Sequence, residues 1–591
     1  MAAEVKLGTP LWRAVHRYRT AFITVAILSA VLNVLLLGGS IYMMLVYDSV
    51  LPSHSLPTLF SLLAMITIVY AFQALFDMMR SRILNDVGSA LDQNMQPLVQ
   101  RAISEAALRG GRFSGDGMTP MRDLDNIRAF LSGTGPTTLI DLPWIVFFLV
   151  VLSMLHIWLG VTALVGALIM IGMTWMTDRA TKAPTQEIGQ LTSYRSGMAE
   201  SNLRHVEVLT ALGMRERMRD RWSEVNKVYL ASNDRLARSV AVLGGSSKVF
   251  RMFLQSAILT VGALLVIDGK ASGGVIFASS ILSGRSLAPI DTAIANWRGF
   301  ASARAGWRRL NDLFARLSAA GDAVVQLPRP SKELLVEQVV IAPPGTQRVT
   351  VQHAQFRLGA GDALGIIGPS AAGKTSLARA LIGVWPVLRG SVRLDGATRD
   401  QWDPERFGEA IGYLPQTVEL LEGTVAENIA RFEPDAPSEV IIAAAQAAGV
   451  HDLVVALPQG YETPVGSDGT QLSAGQRQRI GLARALYGNP FLVLLDEPNS
   501  NLDQAGEEAL EHAIAGVRAR GGIAIVIAHR PSALARVSHV LFMRDGRQEA
   551  FGPRDEVLAK IMSKPIPINA GVEAADNSRG EAPRKAAGGE R

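Results

Sequence analysis

The chain has 591 residues, a mean hydropathy of +0.21 and 19% charged residues, which makes it too long for one hydrophobic core and too apolar for a purely soluble protein. It contains no cysteine, and this excludes disulfides, thiolate metal sites and a cysteine nucleophile. The net charge of +5 comes from arginine-rich segments between apolar stretches. That pattern indicates the cytoplasmic side of a membrane, where anionic lipid attracts cations, and not a nucleic-acid surface.

The N-terminal half alternates between apolar and basic segments. Residues 1–20 hold a basic amphipathic segment around Leu11, which predicts an interfacial helix. Stretches without Asp, Glu, Lys or Arg then cover 20–47, 51–76, 142–177 and 252–267, with a weaker one at 271–284. A bilayer core of about 30 Å needs about 20 helical residues, so the first two stretches predict single crossings and the third is long enough for two.

The basic segments decide the topology. Arginines are dense between the second and third stretches and again after Thr177, so both segments are predicted to be cytoplasmic and an even number of crossings must separate them. A helical hairpin that turns near His156 satisfies this requirement. The loop at 48–56 has no Lys or Arg and is predicted to lie outside. The C-terminal half, whose motifs follow, is expected to lie on the same side as the basic segments, so 252–289 must also cross twice, which gives six helices with both termini inside.

The first motif of the C-terminal half is a phosphate-binding loop. It matches G-x-x-x-x-G-K-[ST] between a strand-like segment at 362–367 and a helix-like segment that includes Ser376. Its residues are Gly368, Pro369, Ser370, Ala371, Ala372, Gly373, Lys374 and Thr375. The glycines let backbone N–H groups surround the β-phosphate, Lys374 reaches the β and γ oxygens, and Thr375 offers its hydroxyl to Mg²⁺. ATP and Mg²⁺ are the predicted cofactors.

Two further apolar runs end in candidate catalytic residues. Residues 491–495 form a run typical of a buried parallel strand, and Asp496 and Glu497 stand at its carboxyl end. There Asp496 would hold Mg²⁺ while Glu497 acts as general base toward water; the alternative is an acidic strand end that caps a helix. A second run at 523–528 ends at His529, which is either a γ-phosphate sensor or an ordinary polar loop residue.

These motifs, together with three others in the same order across 335–560, resemble the nucleotide-binding domain of an ABC transporter. The others are a glutamine loop ending at Gln416, the signature-like sequence LSAGQ at 472–476, and a D-loop at 500–503. The resemblance implies that one protomer completes the site of another. It also implies that Gln416 joins the metal site and couples it to the membrane domain. Ser473 and Gly475, with Gln476 beside them, would contact the γ-phosphate held by the partner. Asp503 would communicate between the two sites, and His529 would sense the γ-phosphate.

The sequence departs from that family at two places. Ala474 replaces the usual glycine of the signature, which adds a methyl group but leaves Ser473 and Gly475, so activity is expected to survive. The stretch 341–348 contains no aromatic residue to stack on adenine, and Arg348 is the candidate substitute because its guanidinium is planar.

Six crossings with cytoplasmic extensions resemble the ABC exporter fold. The expected fold class is therefore a membrane α-helical domain of ABC exporter type I fused to an α/β P-loop ATPase domain. The expected boundaries are an amphipathic segment at 1–20, a membrane domain at 21–318, a linker at 319–332, an ATPase domain at 333–565 and a disordered tail at 566–591. Residues 123–128 and 206–210 are candidate coupling turns, or alternatively solvated helix faces. Arg285 is predicted to face the transport pathway, or alternatively to snorkel toward the cytoplasm.

Four shorter motifs narrow the resemblance. The segments 123–125, 141–144, 411–416 and 428–432 are similar to those of type I secretion permease/ATPases of the PrtD-like kind. This implies a homodimer in the bacterial inner membrane that exports unfolded proteins bearing C-terminal signals. It also implies a periplasmic adaptor (membrane-fusion) protein and an outer-membrane channel as partners. The alternatives are a lipid or drug exporter on the same scaffold, and an ATP-gated regulator or channel without net transport.

Overall fold

The computed structural model describes residues 10–110, 117–317, 327–466, 469, 471–500, 502–528 and 534–562. The chain divides into two compact units, one comprising 1–107 and 111–321 and the other 108–110 and 322–591. His529, the predicted tail at 566–591, residues 1–9 and much of the predicted linker lie outside the described residues.

The described part of the first unit is helical. Its helices are α1 (Pro10–Arg17), α2 (Arg19–Leu35), α3 (Leu37–Leu45), α4 (Leu51–Ser53), α5 (Leu56–Leu108), α6 (Thr119–Ser132), α7 (Gly135–Asp141), α8 (Trp144–Leu155), α9 (Ile157–Arg204), α10 (Val206–Ala211), α11 (Arg215–Ile267), α12 (Gly273–Ala295) and α13 (Trp297–Leu317). The predicted N-terminal amphipathic helix is present as α1, and its Leu11 is fully buried in a cluster with residues of α13.

Within the described ranges, five helical segments are long and apolar enough to cross a membrane. They are Arg19–Ser53, Leu56–Leu108, Gly135–Leu155, Ile157–Arg204 and Arg215–Ile267. The predicted hairpin turn is confirmed, because the helix breaks at His156, where the backbone is extended between α8 and α9.

The first crossing is longer than the sequence predicts. A π-helical turn, Val46–Val50, carries the helix past Tyr47, and the chain reverses only at His54, which has a φ of +49°. The carboxylate of Asp48, inside that turn, accepts hydrogen bonds from the Ser272 hydroxyl at 2.6 Å and the Gly274 N–H at 2.7 Å. It therefore satisfies one free N–H group at the start of α12, that of Gly274, from a different helix. This long-range contact explains why part of the predicted loop is helical.

Helix α12 is the sixth predicted crossing, and its weaker apolar signal has a structural reason. Ser279, Ser283 and Ser286 are buried on it, and their hydroxyls donate to backbone carbonyls one turn earlier at 2.9–3.0 Å. The same helix contributes Leu282 and Leu287 to an apolar cluster shared with α8, α9 and α11. Protein, not lipid, covers much of α12, so it needs fewer apolar residues than a lipid-facing helix.

A buried polar network joins α2, α5 and α7. Arg80 donates to Asp141 and to the Ser29 hydroxyl, both at 3.0 Å, and Asn33 donates to the other oxygen of Asp141 at 3.1 Å. Ser29 and Asn33 are buried within the first apolar stretch. Arg80 also pairs with Asp77, whose side chain is 57% exposed against 19% for Asp141. Ionisable groups at this depth are costly unless they are paired, so the network fixes the three helices in one arrangement.

The two candidate coupling turns have different structures. Residues 123–128 lie inside α6, so the expectation of a turn there is wrong. Asp123 is 2% exposed and accepts two hydrogen bonds from the guanidinium of Arg309 on α13, one of them at 2.8 Å. Residues 206–210 lie in α10, a short exposed helix between α9 and α11.

The second unit contains a mixed sheet of ten described strands. They are β1 (Glu333–Ile341), β2 (Val351–Gly359), β3 (Ala363–Ile367), β4 (Arg389–Leu394), β5 (Ala397–Thr398), β6 (Ile411–Leu414), β7 (Leu492–Asp496), β8 (Ile523–Ile527), β9 (His539–Arg544) and β10 (Arg547–Pro553), in the order β5-β4-β1-β2-β10-β9-β3-β8-β7-β6. Strands β9, β3, β8, β7 and β6 are parallel. The fully buried runs of β7 and β8 confirm two strands predicted from the sequence.

Helices cover the sheet. They are α14 (Lys374–Leu381), α15 (Pro404–Ala410), α16 (Val425–Ile429), α17 (Ser438–Ala447), α18 (His451–Val455), α19 (Ala474–Leu486), α20 (Gln504–Ala519) and α21 (Arg554–Met562). Two apolar clusters bury side chains of the sheet strands together with residues of these helices. Parallel strands buried on both faces are typical of an α/β domain.

The polar network of the first unit gives a stability prediction. Asp141→Asn should lower the unfolding temperature of the solubilised protein by roughly 5 °C, since the guanidinium of Arg80 loses the less exposed of its two carboxylate partners, which costs about 2 kcal/mol. Asp77→Asn is the matched control, because it removes the exposed acid from the same arginine and should change the temperature by much less. Equal shifts in the two variants would show that burial does not distinguish these pairs.

Candidate functional site

Four predicted site segments follow the carboxyl ends of neighbouring parallel strands. Gly368 follows β3, Gln416 lies two residues beyond β6, Asp496 ends β7, and the chain leaves β8 toward His529. These strands lie in the order β3-β8-β7-β6. Because the carboxyl ends of parallel strands share one edge, the fold gathers these segments at the place where α/β sheets bind ligands.

The backbone of the phosphate loop requires glycine at two positions, Gly368 and Gly373. Gly368 and Gly373 have φ values of +152° and +94°. A side-chain carbon on Gly368 would lie 2.1 Å from the carbonyl oxygen of Met543, and one on Gly373 would lie 2.5 Å from that of Thr350. The loop therefore packs too closely for a Cβ atom. It ends on the N-terminus of α14, where free N–H groups can bind phosphate.

Lys374 is held over this loop. The residue is 6% exposed, and its Nζ donates to the carbonyl oxygens of Gly368 and Pro369 at 2.9 Å each. Burial lowers the pKa of Lys374, while the nearby carboxylates of Glu497 and Asp496 act in the opposite direction. The ammonium group is thus already directed at the concave side of the loop, with acceptors that phosphate oxygens can replace.

Asp496 is the least satisfied polar group of the site. It is 1% exposed, and neither carboxylate oxygen has a hydrogen-bond partner among the described residues. Burial raises the pKa of Asp496, Glu497 adds to that, and the nearby Thr375 hydroxyl and the cations Arg379 and Lys374 lower it. Thr375 is thus close to the carboxylate without making a hydrogen bond of normal geometry to it.

These groups fit Mg²⁺. Two orphaned buried oxygens and an adjacent hydroxyl are hard ligands of the kind this ion takes. The described residues contain no group of three or more His, Asp or Glu side chains that could hold a metal. A cation here would therefore draw its remaining ligands from nucleotide phosphates and water, as is usual for Mg²⁺ in nucleotide sites.

The structure brings Glu497 and Gln416 together. The Gln416 amide donates to the Glu497 carboxylate at 3.1 Å, across the neighbouring strands β6 and β7. Glu497 has a φ of +50°, and its N–H donates to the carbonyl of Ile527 at 3.0 Å. A residue with a side chain rarely adopts this conformation, so the turn that directs Glu497 out of the strand end is strained.

The signature-like sequence forms the start of α19. The Ser473 hydroxyl accepts from the Gln476 N–H at 3.3 Å, and the Gln476 side chain accepts from the Ser473 N–H at 2.8 Å, which is a capping box. Ser473 and Ala474 are exposed, so the extra methyl group of Ala474 is not buried in the core of its own chain. No hydrogen bond between described residues links the Ser473 side chain to the phosphate loop of its own chain.

Two residues that the sequence reasoning missed tie α19 to the acidic segment. Gln478 is 3% exposed and donates to the backbone carbonyl of Pro498, and Arg479 pairs with Asp503. Asp503 also caps α20 by accepting from the Gly506 N–H at 2.9 Å, and that bond and Arg479 lower its pKa. In the sequence, the only sign of this role for Gln478 is that a glutamine stands on a helix that also carries apolar residues.

The segment expected to lie near adenine has no aromatic side chain in the structure either. Ile341 and Ala342 are buried, whereas Arg348 is exposed and free of stacking partners among the described residues. Stacking of Arg348 on the base stays a prediction.

Comparisons with known proteins agree with this architecture. Residues 22–318 match the ABC transporter transmembrane region family, and residues 351–500 match the ABC transporter family. The fold is similar to a solved bacterial Atm1-family ABC exporter with ATP bound, with a TM-score of 0.77 over 92% of this chain and 96% of that one, at 22% identity. The fold and the site therefore define an ABC transporter that carries its membrane and ATPase domains in one chain.

Curated relatives narrow the class. The chain is 50% identical to the type I secretion system ATP-binding protein PrsD of Rhizobium meliloti (strain 1021), over 93% of this chain and 94% of that protein. It is 26% identical to the exotoxin translocation ATP-binding protein PaxB of Pasteurella aerogenes, over 92% of this chain and 77% of that protein. The chain belongs to the type I secretion system branch of the ABC transporters, whose ATPase domain couples ATP hydrolysis to transport.

The close packing of the phosphate loop can be tested with paired glycine substitutions. Gly373→Ala places a methyl group against the Thr350 carbonyl and should weaken ATP binding at least roughly tenfold, because the N–H groups that meet phosphate must move. Gly396→Ala is the control, since Gly396 also has a positive φ, +83°, but has nothing within 4 Å. It should cost about 1 kcal/mol of backbone strain and leave affinity unchanged. Titration with a fluorescent ATP analogue measures both; similar affinities would contradict the packing argument.

Because the Asp496 carboxylate is buried without a hydrogen-bond partner among the described residues, replacing it should stabilise the nucleotide-free protein against unfolding. Its raised pKa means that the folded protein binds this proton more tightly than the unfolded chain, so its contribution to stability is greatest in acid and is lost as pH rises through that pKa. Asp496→Asn should therefore raise the unfolding temperature of the nucleotide-free protein by roughly 2–4 °C at about pH 8, and by less as the pH falls through the raised pKa of Asp496.

The control for this effect is a carboxylate with the opposite environment. Asp395 accepts hydrogen bonds from the N–H groups of Ser331, Lys332 and Glu333 at 2.7–3.3 Å, so Asp395→Asn should lower the unfolding temperature. Thermal unfolding in EDTA compares the two variants. A fall in both would show that Asp496 is compensated in the metal-free protein.

Proposed function

We propose that two copies of this chain form an ATP-driven exporter of unfolded proteins in the bacterial inner membrane, as the ABC component of a type I secretion system. The observation that carries this proposal is the 50% identity to a type I secretion protein over both the membrane unit and the ATPase unit. The cargo would carry a C-terminal signal. A periplasmic adaptor protein and an outer-membrane channel would complete the path, and both termini and the ATPase domain would be cytoplasmic.

The site residues receive the following roles. ATP binds to the phosphate loop, and Mg²⁺ is held by Thr375, Gln416 and Asp496. The loop residues are Gly368, Pro369, Ser370, Ala371, Ala372, Gly373 and Lys374, followed by Thr375 and Ser376. Bound Mg²⁺ would neutralise charge on the β and γ oxygens. The orphaned oxygens of Asp496 and the inward ammonium of Lys374 support this assignment.

Glu497 is the general base for the attacking water. Its strained backbone and its hydrogen bond to Gln416 hold the carboxylate at the strand edge, where it can accept a proton from water beside the γ-phosphate. Gln416 contacts the proposed base directly and would also be a ligand of the metal, so a change in its position would affect both. His529 would contact the γ-phosphate from the end of β8.

The partner protomer closes the site. Ser473, Gly475 and Gln476 form the first turn of α19, a helix of 13 residues whose N-terminus is exposed and therefore suited to bind an anion from outside the chain. Asp503 would report the state of one site to the other through Arg479 and α19. A triphosphate that touches both protomers favours the closed dimer, and hydrolysis removes that preference.

Co-purification with cargo tests the exporter proposal. The full-length Glu497→Gln variant should retain ATP, lose turnover by at least roughly a hundredfold and retain more of a cargo's C-terminal segment than the parent, because the closed state persists. Glu508→Gln, which changes an exposed acid on α20, is the control and should behave as the parent. Undiminished hydrolysis would remove Glu497 from its role. Failure of both proteins to bind any cargo segment would contradict protein export.

A further inference from the structure

A large cleft with several charged lining residues lies within the first unit. It has a volume of about 930 Å³ and is lined by α6, α9 and α13, with Leu236 of α11. The α9 wall runs from Asp178 to Ser193, and the α13 wall runs from Phe300 to Arg316. The roles assigned above do not use this space.

The cleft carries positive charge without internal compensation. Lys182, Arg304, Arg308 and Arg316 line it, are exposed and make no hydrogen bond or ion pair with described residues. Two lining carboxylates, those of Asp178 and Asp312, also have no partner among the residues that the structure describes. The third carboxylate, that of Asp123, already accepts from Arg309. Free cations therefore outnumber free carboxylates by four to two, and a ligand that used all of them would carry net negative charge.

The spacing of the α13 cations indicates an extended ligand. Arg304, Arg308 and Arg316 are separated by multiples of four residues, so they lie along one face of α13. From the first to the last they extend over about 18 Å. The opposite wall offers uncharged amides, Gln186 and Gln190, both exposed. A long basic wall facing a wall that carries two amides, one cation (Lys182) and one carboxylate (Asp178) matches an extended anionic chain better than a compact anion.

The position of the cleft favours an anionic peptide over a lipid as its ligand. The charge-free stretch of α9 ends at Thr177, and the cleft begins at the next residue. The α9 wall continues for about 22 Å beyond that point. A phospholipid headgroup occupies only the interface at the membrane end of this wall. An extended peptide of about five or six residues spans the whole arginine row.

We propose that this cleft binds extended, acidic segments of the polypeptide that the exporter moves. The inference rests on the proposed export function and names the chemistry of the cargo segment. Each contact would be an exposed ion pair of small energy, so binding would be salt-sensitive and tolerant of sequence. Those properties suit a chain that must be held and then passed on.

Peptide binding to the full-length protein in lipid nanodiscs tests the proposal. The probes are labelled peptides of about twelve Gly, Ser and Asp residues, and the same peptides with Asn in place of Asp. The triple variant R304Q/R308Q/R316Q should bind the acidic peptide about tenfold more weakly than the parent. The control R217Q/R221Q/R235Q removes the same charge from exposed α11 arginines outside the cleft, and it should change affinity less than about twofold. Equal losses in the two variants, or equal affinity for the Asn peptide, would overturn the proposal.

Site-specific cross-linking identifies what occupies the cleft. Because the chain has no cysteine, Gln186→Cys introduces a single attachment point for a photoreactive group on the α9 wall. Labelling of the acidic peptide supports the proposal, whereas labelling only of lipid or of the second copy of this chain overturns it. Export of cargo by the parent is measured in parallel. If the parent exports no polypeptide, the proposed function fails, while normal export by an R304Q/R308Q/R316Q variant that still binds the peptide refutes the cleft alone.

Discussion

The ATPase unit buries two opposite charges that its own residues do not fully compensate. Lys374 donates only to carbonyl oxygens of its loop, and Asp496 accepts from nothing among the described residues. Such groups cost free energy until a partner arrives. A triphosphate with Mg²⁺ would supply negative charge for the first and positive charge for the second. Nucleotide binding would therefore relieve an unfavourable arrangement of charges, and this relief would stabilise the ATP-bound arrangement.

The acidic strand end and the signature helix are mechanically linked within one chain. Gln478 and Arg479 on α19 contact the segment between Pro498 and Asp503, directly after the proposed base Glu497. A displacement at the exposed start of α19 would thus reach the segment next to Glu497 without passing through the sheet. In the membrane unit, comparable long-range polar contacts, such as that between Arg80 and Asp141, hold helices that lipid alone would not orient.

The sequence predicted features that short segments determine. The phosphate loop, the strands β7 and β8 and the break at His156 each follow from a contiguous pattern of glycines, apolar residues or charges. It did not predict that 123–128 is helical, because Asp123 is held by Arg309, far away in the chain. The end of the first crossing was missed for the same reason, since Asp48 caps α12. Contacts between distant residues leave no periodic signal.

We propose that each ATP lies between the phosphate loop of one chain and the α19 start of another. Mixed dimers with two affinity tags test it by counting trapped nucleotides in a Glu497→Gln background. A dimer of one Lys374→Ala chain and one Ser473→Arg chain has one intact shared site, and should trap one ATP. A dimer of the parent with a chain carrying both changes has none, and should trap no ATP. The opposite pattern, with nucleotide trapped only in the second dimer, would show that each chain builds its site alone.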